Sequence, residues 1–387
     1  MKKVLFIIGA LDSGGVAKSI VNLLNALERK EDREIHLLKM SPQMGPFGQY
    51  IPEDVIQHHI PETGWLLAGW NGVWQLLRHG HLFLAIGSVL RMVLSRVDKP
   101  SAGWLLGHLF PTLEGEWDAI VDYNGQQQLY YMVDKLKGKR KISFFHSDYH
   151  KWSYYERIDR KYFPKVDAIC TISAQCVKSL QEVFPEVADR VHLVENISLP
   201  SMIYKLADEK VEIPPLHGKV LVTVGHVCYN KGIDLIIGAA KILREKGIDF
   251  IWLLVGSTNG AENYLQEIEQ SGLNDYIIPV GIQPNPYAYM KLADLIVHPS
   301  RFEGKSITLD EAKILCKPIV VTNFSTVGDQ LEDGVNASIC DMTVDSVARK
   351  IEQLLQDPLL RERYTQSKSF TLTNCKYTEG IEFLIFR

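Results

Sequence analysis

The sequence lacks most of the devices that mark specialised protein classes. No stretch reaches the ~20 continuous apolar residues that a membrane-spanning helix needs. Its six cysteines (Cys170, Cys176, Cys228, Cys316, Cys340 and Cys375) form no Cys-x-x-Cys pair, and the paired-histidine spacing of a zinc site is absent. Ordinary thiols in a reducing compartment are therefore expected. A formal net charge of −4 excludes the broad basic excess of a nucleic-acid-binding protein, so any electrostatic recognition has to be local. Repeats of solenoid period and low-complexity tracts are missing too. The start, Met1-Lys2-Lys3 ahead of an apolar run from Val4 to Leu11, carries the charge pattern of a signal peptide. Its cleavage site is lacking, since Asp12-Ser13-Gly14-Gly15 follows. A buried parallel strand entering a glycine turn is the better reading, and the cytoplasm is the expected location.

What is present is enough chain for two cores. The 387 residues exceed the ~250–300 at which a single core stops growing. Short apolar runs alternate with helical patterns, as in a parallel sheet covered by helices. In the first half, strands are expected at 4–8, 35–40, 119–122, 142–145, 168–172 and 191–194, with helices at 16–27 and 174–183. The pattern weakens where Pro200, Pro214, Pro215 and Gly218 fall, then restarts. Strands are expected at 219–224, 250–255, 276–280, 295–298 and 318–322, and helices at 233–246, 264–271, 286–292, 306–315 and 344–356. The expected organisation is α/β: a domain over 1–200, a linker over 201–218, a second domain over 219–365, and a tail, 366–387, packing back on the first domain. Ligands of such folds bind beyond the carboxyl ends of the strands, so the residues after each strand matter most.

The strongest constellation runs from Pro299-Ser300-Arg301-Phe302-Glu303-Gly304-Lys305-Ser306 through Ile307-Thr308-Leu309-Asp310-Glu311-Ala312 to Lys317-Pro318-Ile319-Val320-Val321-Thr322. Glu303 follows a strand, and Glu311 lies eight residues on, inside the next helix, so the two carboxylates stay on nearly one side. Between them the N–H groups of Lys305, Ser306, Ile307 and Thr308 form a helix N-terminus suited to phosphate or sugar oxygens. A carboxylate within the helix can accept the hydroxyls of a ribose, and one at its mouth can hold a hexose hydroxyl.

Glu303-x7-Glu311 after Pro-Ser, followed by Glu-Ala and then Pro-Ile-Val-x-Thr, resembles the nucleotide-sugar signature of retaining glycosyltransferases of the GT-B fold, in the large family 4 associated with bacterial surface polysaccharides. The resemblance implies two Rossmann-like domains with parallel sheets facing a central cleft, the first binding the acceptor. Val224-Gly225-His226-Val227-Cys228-Tyr229-Asn230-Lys231-Gly232 is similar to the family's Gly-Arg…Lys-Gly loop, whose basic residues grip the donor diphosphate. Lys231 matches, but His226 stands where the family has arginine, and Lys305 is a second candidate for that charge. The family's base-holding loops correspond to Val255-Gly256-Ser257 and Val280-Gly281-Ile282. Gly14-Gly15 resembles the family's glycine loop near acceptor and phosphates. His146, ending the strand over 142–145, stands where relatives aim a histidine at the donor sugar, and Ser173 matches a Val-Ser turn that can also cap a helix. Lys231, Glu303 and His146 are the expected catalytic residues. Gly14, Gly15, His226, Gly256, Ile282, Lys305, Ser306, Ile307, Thr308 and Glu311 are the expected donor contacts.

No Asp-x-Asp occurs, which removes the metal-chelating motif of the other major transferase architecture. The resemblance thus implies no metal and no cofactor, with a UDP-linked hexose or N-acetylhexosamine as donor and a saccharide or lipid-linked saccharide as acceptor. Residues 64–113 stand apart. They hold Trp65, Trp70, Trp74, Phe83, Trp104 and Phe110, and their cations Arg78, Arg91, Arg96 and Lys99 are opposed only by Asp98. Two readings are open: a helix pair lying on an anionic membrane at its inner face, or a helical insertion packed into its own domain or a dimer partner. Other functions compatible with the same residues are a nucleotide-sugar epimerase or hydrolase, and a non-catalytic nucleotide-sugar-binding protein, suggested by His226.

Overall fold

The computed structural model describes residues 1–11, 14–42, 45, 47–367 and 378–386. The described residues form two compact units, one over Met1–Asn196 with Lys376–Arg387, the other over Ile197–Cys375. Each is a parallel sheet flanked by helices. In the first, β1 (Lys2–Ile8), β2 (Arg33–Lys39), β3 (Ile56–His59), β4 (Glu116–Asp122), β5 (Lys137–Phe145), β6 (Ala168–Thr171) and β7 (Val191–Leu193) lie in the order β3-β2-β1-β4-β5-β6-β7. Val4 of β1 pairs with Ile35 on one side and Ala119 on the other. In the second, β8 (Lys219–Val224), β9 (Phe250–Val255), β10 (Ile277–Gly281), β11 (Leu295–His298), β12 (Ile319–Thr322) and β13 (Ser338–Cys340) lie in the order β10-β9-β8-β11-β12-β13. The central strand β9 reads as an unbroken apolar run, and β8 is interrupted only by Thr223 after its leading lysine, because helices cover both faces of the sheet.

In each sheet the strand order reverses once, beside β1 in the first unit and beside β8 in the second. The reversal leaves an opening at the carboxyl ends of the two central strands, where the connections diverge to opposite sides. Around it the second sheet is tied by a buried polar chain: Trp252 Nε1 donates to Thr223 Oγ1 at 2.9 Å, and that hydroxyl donates to the Val297 carbonyl at 2.7 Å. One indole thus fixes β9, β8 and β11 together.

Several elements depart from the sequence reading, which also lacks the helices Gln127–Lys135, Glu156–Tyr162 and Pro358–Gln366. β3 and β13 fall outside the expected strands; β3 is a polar, mostly exposed edge strand with no apolar alternation, and β13 spans only three residues. Part of the expected linker is a helix, Pro200–Ala207, because proline is suited to the first turn of a helix as well as to breaking one. Its Ile203 and Leu206 are buried, and Tyr204 donates to the Ile314 carbonyl at 2.9 Å within the second unit. The tail ends in the helix Thr378–Phe386, with Ile381 and Ile385 buried and the Arg33 guanidinium 3.7 Å above the Phe386 ring.

Residues 64–113 are built mainly from four helices, Pro61–Leu67, Gly69–Arg78, Leu82–Leu94 and Lys99–Leu109. Their inner faces join the first unit's core through Leu66, Leu76, Ala85, Leu106 and Phe110. Glycines let them close up: a Cβ on Gly107 would sit 2.8 Å from the Gln127 carbonyl, and one on Gly87 would sit 2.4 Å from Leu109. Arg91 does not belong to the basic surface expected of it. Its guanidinium donates to the Leu66 carbonyl at 3.3 Å, and burial lowers its pKa.

Candidate active site

The loops leaving β8 and β11 start from adjacent strands at the second unit's switch point, and this adjacency builds the site. The β8 loop turns through a short 3-10 segment, Tyr229–Lys231, and ends at Gly232. Gly232 has φ 73°, and a Cβ there would lie 2.1 Å from the Pro299 carbonyl oxygen. Only glycine allows the two loops this approach. Arg301 then clasps them. Its guanidinium makes a two-pronged pair with Asp234 at 2.8 and 2.6 Å, donates to the Tyr229 carbonyl at 2.7 Å, and stacks 3.8 Å over the Tyr229 ring.

The clasp sets Lys231 Nζ 2.5 Å from Glu303 Oε1. The same oxygen meets His298 Nε2 at 2.9 Å, and His298 is buried at the end of β11, with the hydroxyls of Ser300 and Ser306 each 3.2 Å from its Nε2. Burial pushes the Glu303 carboxyl up, but the Lys231 ammonium and the His298 contact outweigh it and hold the group well below its ordinary value. Glu303 is therefore a carboxylate at neutral pH. Its mouth is partly open: the Lys231 side chain is 30% exposed, and that of Glu303 13%.

Glu311 occupies a different environment. It is buried within the helix Ile307–Ile314 and accepts the Tyr287 hydroxyl at 2.9 Å. The expected helix N-terminus is there, but its donors are not all available. Gln330 Oε1 accepts the Ser306 N–H at 2.8 Å, and Gln330 Nε2 donates to the Ser306 carbonyl at 2.8 Å and to Asp310 at 3.1 Å. Ser306 thus shapes the site through its hydroxyl, which meets His298, while its N–H is already engaged by Gln330. Lys305 is buried. Ile307 and Thr308 open the helix beside it.

His226 is exposed, with Nε2 donating to the Asn259 carbonyl at 2.9 Å, so its ring is tethered to the loop after β9. Gly256 approaches protein backbone closely: a Cβ there would fall 1.9 Å from the Gly225 carbonyl oxygen. Gly281, with φ 73°, turns the chain out of β10 and leaves Ile282 exposed.

In the first unit, Gly14 and Gly15 are exposed where the helix Gly15–Ala26 begins, after β1 at the other switch point. His146 follows β5. Its Nε2 donates to the Tyr123 carbonyl at 3.0 Å, and its ring stacks on Phe144. Burial pulls its pKa down to about 4, with the Tyr123 hydrogen bond acting the other way, so the ring is neutral at pH 7 and Nδ1 carries the lone pair. Ser173 is a helix cap, accepting the Cys176 N–H at 3.2 Å.

The structure thus brings Lys231, Glu303 and Ser306 together around His298, whereas Gly14, Gly15 and His146 belong to the other unit. His298, Arg301, Asp234, Tyr287 and Gln330 escaped the sequence reading. A charged Arg301 inside the motif, two residues before Glu303, was the one visible signal. Asp234, Tyr287 and Gln330 act from 24 to 67 residues away in sequence, and His298 looks like an ordinary strand residue.

Residues 206–369 match the family described as Glycosyl transferases group 1. The chain is 24% identical to the alpha-D-kanosaminyltransferase of Streptomyces kanamyceticus, over 67% of this chain and 72% of that one. Anabaena HepE in complex with UDP and glucose superposes with a TM-score of 0.64 at 15% identity, covering 98% of this chain and 95% of that one. A TarM variant of S. aureus, in complex with fondaparinux, alpha-GlcNAc-glycerol and UDP, superposes at 0.68 and 12% identity, covering 100% of both chains. The chain thus has the GT-B fold of these glycosyltransferase structures, and its residues 206–369, within the second unit, match the group 1 glycosyl transferases.

Proposed function

We propose that the enzyme moves a hexose or N-acetylhexosamine from a UDP-linked donor to a saccharide or lipid-linked saccharide, with retention of configuration and without a metal. The observation that carries this reading is the Lys231–Glu303 pair at the switch point of the second sheet, with Glu311 buried in the helix that follows Glu303. Glu311, held by Tyr287, accepts the ribose hydroxyls. Lys231 turns from Glu303 toward the diphosphate, whose charge grows as the bond to the sugar breaks, and this differential contact lowers the barrier. Glu303, freed of the ammonium, accepts a hydroxyl of the sugar. The acceptor hydroxyl attacks the anomeric carbon on the face the diphosphate leaves, and the departing phosphate oxygen takes its proton. The absence of Asp-x-Asp and the presence of Lys231 support neutralisation by side chain and helix terminus. UDP and sugars held by HepE and TarM support the choice of donor.

A thermal-shift panel of nucleotide sugars identifies the donor, because a ligand bound only by the folded state raises apparent stability with concentration. NMR of the product then reads the anomer. UDP-sugars should stabilise most, and product and donor should share one anomeric configuration. An inverted product, or donor turnover that is undiminished when acceptor is omitted, would replace this reading with inversion or with the hydrolase and epimerase alternatives.

A further inference from the structure

The helices Gly69–Arg78 and Leu82–Leu94 present an apolar face that no described residue covers. Along the second helix and just past it, Phe83, Ile86, Leu90, Val93 and Val97 recur at intervals of three and four residues, a single stripe, and all are exposed. Phe83 is 78% exposed and Val97 85%. Trp70 and Trp74, one turn apart on the first helix, are 64% and 73% exposed. The inner side of the same helix is apolar too, with Ala85 in the core, so a helix of this composition would ordinarily be buried all round. The Gly80 turn, φ 82°, folds the two helices into a hairpin, with His81 N–H bonded to the Leu76 carbonyl at 2.8 Å.

Charge decides among occupants. Between residues 61 and 109 the acidic residues are Glu62 and Asp98, and both are engaged, Glu62 by His81 at 3.4 Å and Asp98 by Arg157 at 2.5 Å. Arg78, Arg96 and Lys99 are exposed at the ends of the stripe. A second copy of this face would bring like charges together, whereas anionic phosphates would neutralise them. Tryptophans beside an aliphatic stripe, flanked by arginines, match the apolar-to-polar gradient of a lipid headgroup layer.

We infer that this hairpin docks on an anionic bilayer, with the stripe in the acyl boundary and Arg78, Arg96 and Lys99 at the phosphates. The inference stands independently of the donor chemistry, since it needs no nucleotide sugar. The test is co-sedimentation of the full chain with vesicles of phosphatidylcholine alone or mixed with phosphatidylglycerol, at low and high salt. The wild type should partition onto the mixed vesicles, less so at high salt. Phe83→Gln/Leu90→Gln, both at exposed positions, should lower that partition by about tenfold to a hundredfold. Brominated phosphatidylcholine in the mixed vesicles should quench tryptophan fluorescence in the wild type, which keeps the test decisive if the variant is poorly folded. Absence of quenching, or equal partition of folded variant and wild type, would overturn the inference. So would a lipid-free dimer in analytical ultracentrifugation that the same substitutions dissociate.

Discussion

Exchanging Glu303 for glutamine separates binding from turnover in a way that depends on the observed geometry. Lys231 Nζ lies 2.5 Å from Glu303 Oε1, so in the proposed mechanism the diphosphate competes with a carboxylate for the same ammonium. Glutamine keeps an acceptor for His298 but removes that competitor. Because the Lys231 side chain is 30% exposed, solvent recovers part of its hydration, and the lower half of the range for a charge-assisted hydrogen bond applies. The cost to folding is then about 1.5–2 kcal/mol. For a unit of this size that lowers Tm by roughly 3–8 °C. UDP affinity, read by isothermal titration, should stay level or tighten, while kcat with the sugar donor falls by about tenfold or more as the sugar loses its charged acceptor. Lys231→Ala should do the complementary thing, reducing kcat more than donor affinity. The two substitutions should be less than additive, since each removes the other's partner. A Glu303→Gln enzyme whose UDP affinity drops in step with kcat/KM, or a double variant whose losses add in full, would refute the idea that the pair opens on donor binding.

Three further outcomes follow from other parts of the structure. Gly232→Ala should destabilise the second unit by about 2 kcal/mol or more in chemical denaturation, because it forces a Cβ against the Pro299 carbonyl at a left-handed φ; a neutral result would mean the loops are not clasped there. The folded His146 titrates near pH 4, below its ordinary 6.5, so the unfolded chain binds more protons in between. Stability should therefore fall as pH drops from 6.5 toward 4, and imidazole NMR should show His146 neutral at pH 6; a charged ring there would contradict its buried placement. Transfer should persist in excess EDTA, and activity abolished by chelator and restored by manganese would remove the metal-free mechanism.

Much of the architecture was readable along the chain because it is written in local patterns. Predominantly apolar runs such as Lys219–Val224 and Phe250–Val255 are recognisable as buried parallel strands, and their observed bounds coincide with the expectation. Glu303 and Glu311 could be found because a strand, a loop and a helix lie within one short segment. β3 and Pro200–Ala207 were not legible, the first because an exposed edge strand needs no apolar alternation, the second because proline both ends and begins helices. Only the tertiary structure decided that Lys231 and Glu303, 72 residues apart, share a contact, since that depends on β8 and β11 being neighbours in the sheet. It likewise decided that Gln330 occupies the Ser306 N–H, that Gly256 serves a close approach of backbone to backbone, and that Arg91 is drawn inward while Arg78 stays out. Sequence specifies which side chains can carry charge or bury surface, but their partners are chosen by the order of strands, which no local pattern encodes.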